Sequence, residues 1–331
     1  MAERREDFGH IGVVMGGCSS EREISLKSGR AIFEALKQKG LNVSAVELTT
    51  EEETAVMDVL RRQRIDLVFI AMHGRFGEDG TFQEMLERHG VKYTGSGPQA
   101  SRRAMDKIVT VRMAREGGVP TPQWIGLGAS DGEPESMDVS ALGGFPVVVK
   151  PACEGSSIGV GLAHDAAQLA TAAEEARRYG PKVIVEQYIR GREMTVGILG
   201  FEALPVIEIK PKLSFFDFEA KYQKGKTEYI VPAQIPAKVA AGLQQMSLQA
   251  FGILGCRDFA RVDFMLDQSM KPYLLEVNTI PGFTSTSLLP MAAAQRGIDF
   301  GGLCLEIVRM AHRRSGKGDN FYIGSHGRNN R

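Results

Sequence analysis

The chain has 331 residues, 43% hydrophobic and 24% charged, the make-up of an ordinary folded protein with room for two or three domains. Lysine plus arginine and aspartate plus glutamate each number 40, so the formal net charge is zero, which argues against a nucleic-acid partner. No run is long and apolar enough to span a bilayer, and "MAERREDFGH" holds no apolar export segment, so a cytoplasmic protein off the membrane is expected. In chain order, "HIGVVMGG" predicts a buried strand over 11–15 that breaks at Gly16-Gly17. The helix "CSSEREISLKSGRAIFEALKQKG" follows, with Ser20 and Glu23 as a capping box and Ile24, Ala31, Ala35 and Leu36 as its apolar stripe. "LNVSAVEL" reads as a strand, "TAVMDVLRRQR" as a helix and "IDLVFIAMHG" as a strand covered on both faces. This alternation predicts a small doubly wound α/β domain ending near "GSGPQA".

The pattern then turns α+β. "SRRAMDKIVTVRMAREGG" reads as one helix, and strands at 147–150 and 158–163 flank a glycine- and serine-rich loop. A helix at "AAQLATAAEEARRYG" and a strand at "KVIVEQYI" come next. Strands at "REMTVGILG" and "EALPVIEIK", an irregular stretch over 211–236 and a helix at "AKVAAGLQQMSLQAFGILG" follow. A hairpin, "DFARVDFMLDQSMKPYLLEVN", and a helix around "LCLEIVRMAHRR" complete the fold. The polar, glycine-rich end "SGKGDNFYIGSHGRNNR" is expected to be disordered. Cys18, Cys153, Cys256 and Cys304 are far apart with no C-x-x-C spacing, which predicts reduced thiols rather than a zinc site or disulfides.

The hairpin carries the sharpest chemical signal. Arg261 and Asp263 share one face, and Glu276 and Asn278 share a face opposite Leu275 and Val277. A turn centred on Ser269-Met270 sets Asp263 against Glu276 and Arg261 against Asn278. Opposed carboxylates repel unless a cation stands between them, and an Asp, Glu and Asn oxygen set suits Mg2+. The alternative is a solvated polar face. In "KPACEGSSIGVG", Lys150 ends a strand, and Gly155, Ser156 and Ser157 can offer donors to a phosphate; otherwise this is a hairpin loop. Glu186 and Glu193 in "VIVEQYIRGRE" suit an adenine edge and ribose hydroxyls. Glu21 stands near a helix start, and His73 ends a strand at the edge where open α/β sheets place ligands. "EAKYQKGKTEYIVPA" ends like a Walker A loop at Gly225-Lys226-Thr227, but Ala220 stands where the leading glycine belongs.

Several stretches together resemble the D-alanine–D-alanine ligases of the ATP-grasp superfamily: "GGCSSEREISL", "AMHGRFGEDG", "YTGSGPQASRRAMDK", "VVVKPACEGSSIGV", "EAKYQKGKTEY", "ARVDFML" and "LEVNTIPGFTSTSLLPMAA". The likeness runs in order over about 11–312. It implies an ATP-grasp fold with an N-terminal doubly wound α/β domain over 1–98, grasp subdomains over 99–191 and 192–312, and a tail over 313–331. It implies ATP and D-alanine as substrates, Mg2+ or Mn2+ as metal, a homodimer, and peptidoglycan precursor synthesis through an acyl phosphate. By motif position, Asp263, Glu276 and Asn278 would bind the metal, and Lys107, Lys150 and Lys221 the phosphates. Glu186 and Glu193 would hold adenine and ribose, and Arg261 with the Gly282 N–H would form an oxyanion site. Glu21 would meet the first substrate's ammonium with His73 nearby, and Ser287 and Leu288 would hold the second carboxylate. "EAKYQKGKTEY" would be a closing loop with Tyr222 hydrogen-bonded toward Glu21 and Ser156, the tyrosine favouring an amine nucleophile. Cys153 stands where some members carry a cation. An ATP-grasp ligase for other acids should differ at Glu21, Tyr222 and Ser287, and a regulator without turnover should have lost a metal ligand or Arg261. A Rossmann oxidoreductase lacks its GxGxxG turn here.

Overall fold

The computed structural model describes residues 6–128, 138–211 and 227–314. The parallel sheet comes first: β1 (Ile11–Gly16), α1 (Arg22–Gln38), β2 (Val43–Leu48), α2 (Glu53–Arg62), β3 (Leu67–Ile70), α3 (Thr81–Arg88) and β4 (Lys92–Tyr93). Its strand order is β2-β1-β3-β4, all parallel. Both faces are covered, as the apolar strands require: Val13 and Phe69 pack toward α1, Val14 and Ile70 toward α2 and α3.

The phase of α1 differs from the predicted stripe. The helix starts at Arg22, Glu21 is its N-cap without a side-chain cap bond, and the Ser20–Glu23 box does not form. Ile24 is 37% exposed, and the buried face runs through Ser25, Leu26, Ser28, Gly29, Ile32, Ala35 and Leu36. The cause is proximity: a Cβ on Gly29 would lie 2.5 Å from that of Met15, so small residues face the sheet there.

The helix expected over 101–118 is two helices, α4 (Pro98–Met105) and α5 (Lys107–Glu116). Asp106 breaks them and caps the second through Ile108 N and Val109 N. The central sheet holds β5 (Trp124–Leu127), β6 (Val147–Pro151), β7 (Gly161–Ala163) and β8 (Val183–Gln187), in antiparallel order β5-β8-β6-β7, with α6 (Ala166–Arg177) on one face.

The third sheet holds β9 (Gly191–Leu199), β10 (Glu202–Ala203), β11 (Ile207–Pro211), β12 (Thr227–Ile230), β13 (Phe259–Asp267) and β14 (Pro272–Asn278). Its path is β12-β11-β9-β13-β14, all antiparallel, with β10 on β9 and α7 (Ala237–Leu254) across one face. "EALPVIEIK" is thus two strands, and the stretch expected to be irregular contains β12. Thr227 opens a strand, whereas a Walker loop must open a helix, so the Gly225-Lys226-Thr227 match is accidental. The chain closes with α8 (Leu288–Gln295) and α9 (Phe300–Arg313), which pack back on the parallel sheet. Phe283 joins the halves, its ring 5.9 Å from Phe69 and from Phe259 and 5.6 Å from Phe300.

Candidate active site

The hairpin register is as predicted where it matters: Arg261 pairs with Asn278 and Asp263 with Glu276. A bulge follows, so Phe264 meets Leu274, and Leu274 rather than Leu275 joins Val277 in the core. The cation demanded by the opposed carboxylates is Arg261 itself. Its guanidinium grips Asp263 with Nε–Oδ1 at 2.9 Å and Nη2–Oδ2 at 2.7 Å. Thr195 on β9 donates to the other side of that carboxylate, Oγ1–Oδ1 2.5 Å, and Asn278 Nδ2 lies 3.1 Å from Asp263 Oδ2 and 3.4 Å from Glu276 Oε1. Lys107 Nζ is 3.4 Å from Glu276 Oε2 and donates to the Glu154 carbonyl at 2.5 Å. Burial alone would raise the Glu276 carboxyl, but Lys107, Arg261 and Lys150 together outweigh it and hold the group well below the carboxylate range. Two opposed carboxylates in a cationic frame, with the Asn278 amide beside them, form a donor set that fits a hard cation such as Mg2+. Among the described residues no group of three or more His, Cys, Asp or Glu could hold a metal.

The central sheet contributes Lys150, whose Nζ donates to Glu186 Oε2 at 2.5 Å. Glu186 is 2% exposed, and among the described residues its buried Oε1 has no partner, an acceptor open to a ligand donor. Glu193 lies partly buried on β9, opposite Met265 and Ile209. The loop after β6 turns through Ser156 and Ser157 at positive φ, 52° and 57°. That turn brings the Ser156 hydroxyl onto Glu21 Oε1 across the cleft. Glycines flank Glu21 closely: a Cβ on Gly155 would lie 3.2 Å, and one on Gly74, which sits at φ 73°, 2.8 Å from Oε2. Cys153 is a half-buried neighbour of this loop; burial and then the Asp106 charge push its thiol up, away from thiolate chemistry.

His73 follows β3 and is 4% exposed. Its Nε2 meets Ser28 Oγ at 2.9 Å, and its Nδ1 lies 3.0 Å from the Ile280 carbonyl and 3.2 Å from Glu78 Oε1. Ser287 stands at the N-cap position of α8 without a side-chain cap bond, Leu288 is the helix's first residue, and Thr284 N donates to Ser287 Oγ at 2.9 Å. A Cβ on Gly282 would lie 3.6 Å from that hydroxyl. One cavity gathers all three sheets' contributions, with Glu78, Lys107, Glu154, Gly155, Glu276 and Asn278 on its walls. Lys221 and Tyr222 lie outside the described residues.

Residues 10–63 and 50–96 match the family described as D-ala D-ala ligase N-terminus, and residues 113–309 match D-ala D-ala ligase C-terminus. The chain belongs to the D-alanine–D-alanine ligase family. Among its relatives, the D-alanine–D-alanine ligase of Pelotomaculum thermopropionicum is 44% identical over 314 residues, covering 92% of this chain and 98% of that one. That of Laribacter hongkongensis is 42% identical over 305 residues, covering 92% and 97%. Among solved structures, the ligase from Bacillus anthracis complexed with ATP superposes with a TM-score of 0.80 at 33% identity, over 92% of this chain and 97% of that one. The VanG D-Ala:D-Ser ligase from Enterococcus faecalis gives 0.79 at 28%, over 91% and 99%. The fold of this ligase family member is therefore ATP-grasp.

Sequence reasoning passed over three groups that the structure brings into the site: Ser28, Glu78 and Thr195. Thr195 was within reach, because Glu193 and Thr195 alternate with the buried Met194, Val196 and Ile198. Glu78 sits in the acidic loop after His73. Ser28 had no local signal.

Proposed function

We propose that the chain joins two D-alanines into D-alanyl-D-alanine with ATP, releasing ADP and phosphate, as a step in peptidoglycan precursor synthesis. The observation that carries this reading is that Lys107, Glu276 and Asn278 line one cavity, with Asp263 and Arg261 bonded beside them, Lys150 near enough to act on Glu276, and the Glu21–Ser156 pair against Gly155 on its wall. The first D-alanine's carboxylate oxygen attacks the γ-phosphorus, the bond to ADP breaks, and an acyl phosphate forms. The amine of the second D-alanine then attacks the acyl carbon, loses a proton and expels phosphate.

In this reading the carboxylate of Glu21, oriented by Ser156, holds the first substrate's ammonium, with His73 close by. Lys107 and Lys150 neutralise phosphate oxygens, Glu186 accepts from the adenine through its unpartnered oxygen, and Glu193 binds the ribose. Arg261 and the Gly282 N–H face the oxyanion of the tetrahedral intermediate. Ser287 and the Leu288 N–H receive the second carboxylate at the start of α8, where helix amides favour an anion. Lys221 and Tyr222 are assigned by motif alone, to a phosphate and to the Glu21–Ser156 pair, in a loop that would exclude water from the acyl phosphate. Asp263, Glu276 and Asn278 would hold Mg2+, with Mn2+ as substitute, and the ion would supply positive charge to offset that of the transferred phosphoryl group. We read residues 1–98, 99–191 and 192–312 as the working units, in a cytoplasmic homodimer. No helix among the described residues is long and apolar enough to cross a membrane.

The test is phosphate release from Mg-ATP with D-alanine, L-alanine, or D-alanine plus D-serine or D-lactate, with product masses read in parallel. Release with D-alanine alone and the dipeptide mass is the expected result. A depsipeptide or mixed dipeptide as main product overturns the choice of second substrate, and no release with any acid overturns the ligase reading.

A further inference from the structure

Two buried serines one turn apart on α1 bond outward from the helix, and their partners differ. Ser25 Oγ accepts from Gly16 N and donates to the Ala71 carbonyl, both at 2.8 Å, and so ties β1 to the end of β3. Ser28 reaches out of its own sheet. Its Oγ is 3.2 Å from Phe283 N, a residue 255 positions away on the loop after β14, and 2.9 Å from His73 Nε2. Ser28 is 1% exposed and His73 4%, so water does not compete for these groups.

With a neutral imidazole at His73, the protons of this cluster have one consistent assignment. Phe283 N–H can only donate, so Ser28 accepts there. The Ile280 carbonyl can only accept, so His73 Nδ1 carries the proton and donates to it, with Glu78 Oε1 as a second acceptor. His73 Nε2 is then left with its lone pair, and the one hydroxyl proton of Ser28 is donated to it. The path runs Phe283 N–H to Ser28, Ser28 O–H to His73, and His73 N–H to Ile280, with no group unsatisfied.

The two ends of this path hold the same short turn. Ile280 C=O and Phe283 N–H flank Pro281 and Gly282. We propose that Ser28 is a positioning residue: with His73 it clamps the Ile280–Phe283 turn from the parallel-sheet side and so aims the Gly282 N–H at the reacting carbonyl. This rests on the reading of Gly282 as an oxyanion donor. It gives His73 a role besides proximity to substrate, since both ring nitrogens are engaged by protein groups. It also ties the substrate-1 wall to the oxyanion loop, so the packing of the two halves and the placement of the donor depend on the same contacts.

The experiment compares wild type with Ser28→Ala in two assays: dipeptide formation, and positional isotope exchange in oxygen-labelled ATP with D-alanine, which reports the first phosphoryl transfer alone. Displacing a donor by about 1 Å costs on the order of 100-fold, so dipeptide formation should fall by about that factor while exchange and the KM for ATP hold. Equal loss in both assays, or no loss in either, overturns the proposal. Nitrogen NMR of the histidine rings, with His73 assigned through His73→Gln, should show Nδ1 protonated and Nε2 bare in the folded wild type; the opposite tautomer also overturns it. If wild type forms no dipeptide but shows His73 in this tautomer, the ligase reading has failed and the clamp has not.

Discussion

On the parallel-sheet wall of the cleft, Glu78 is buried near a second carboxylate, Glu21; burial first, and that like charge besides, outweigh the His73 contact and push its carboxyl above the ordinary range. Across the cavity, burial would raise Glu276 in the same way, but Lys107, Arg261 and Lys150 reverse the sign and bring it down to about 2. The same side chain, lining the same cavity, is thus pushed in opposite directions by its neighbours. One wall sets the Glu21 and Glu78 carboxylates near each other, which favours an ammonium ligand. The other fixes carboxylates inside a cationic frame, which favours metal and phosphate.

The contrast can be broken at several points. Phe283→Ala removes the ring between the walls and should cost about 3–5 kcal/mol, read as a lowered denaturation midpoint; an unchanged midpoint would mean the halves cohere without it. Arg261→Ala takes the main cation from the hairpin wall, and kcat for dipeptide formation should fall by about 10²–10³ if the guanidinium faces the oxyanion. A loss confined to the KM for D-alanine would place it elsewhere. Thr195→Val leaves the charges but frees Asp263 on one side, and the magnesium concentration for half-maximal rate should rise by about 10–100-fold, checked by direct Mn2+ binding.

The pH dependence is the smallest effect and the sharpest. Glu276 contributes stability that is full above its unfolded value of 4.5 and is lost as pH falls toward about 2, so Glu276→Gln should flatten that acid limb of the thermal-unfolding midpoint. Glu78 has the opposite sign. Its stabilisation is full below 4.5 and lost as pH rises through its elevated folded value, so Glu78→Gln should remove a decline above 4.5. Slopes of the same sign in both variants would abolish the distinction between the walls.

Strict alternation along β13 and β14 made the Asp263–Glu276 and Arg261–Asn278 pairs legible, because two-residue periodicity and a short turn are local properties. The bulge at Leu275 was not, since one inserted residue leaves the composition of a strand unchanged. The capping box failed because the helix starts one residue later than a Ser20 cap requires: Glu21 takes the N-cap position, so Ser20 stands outside the helix end. The eight-residue helices α3 and α8 were passed over, being too short for a clear period.

The amino-acid sequence by itself determined the alternating strands and helices, the apolar core and the chemistry of the hairpin, all of which follow from spacings within one or two turns of chain. Only the tertiary structure decided which groups meet across long separations: Ser156 on Glu21, 135 residues apart, Lys107 beside Glu276, and Ser28 beneath Phe283. Those contacts depend on how three sheets dock, and docking is driven by non-directional burial of apolar faces, which leaves no local mark on the polar residues it brings together.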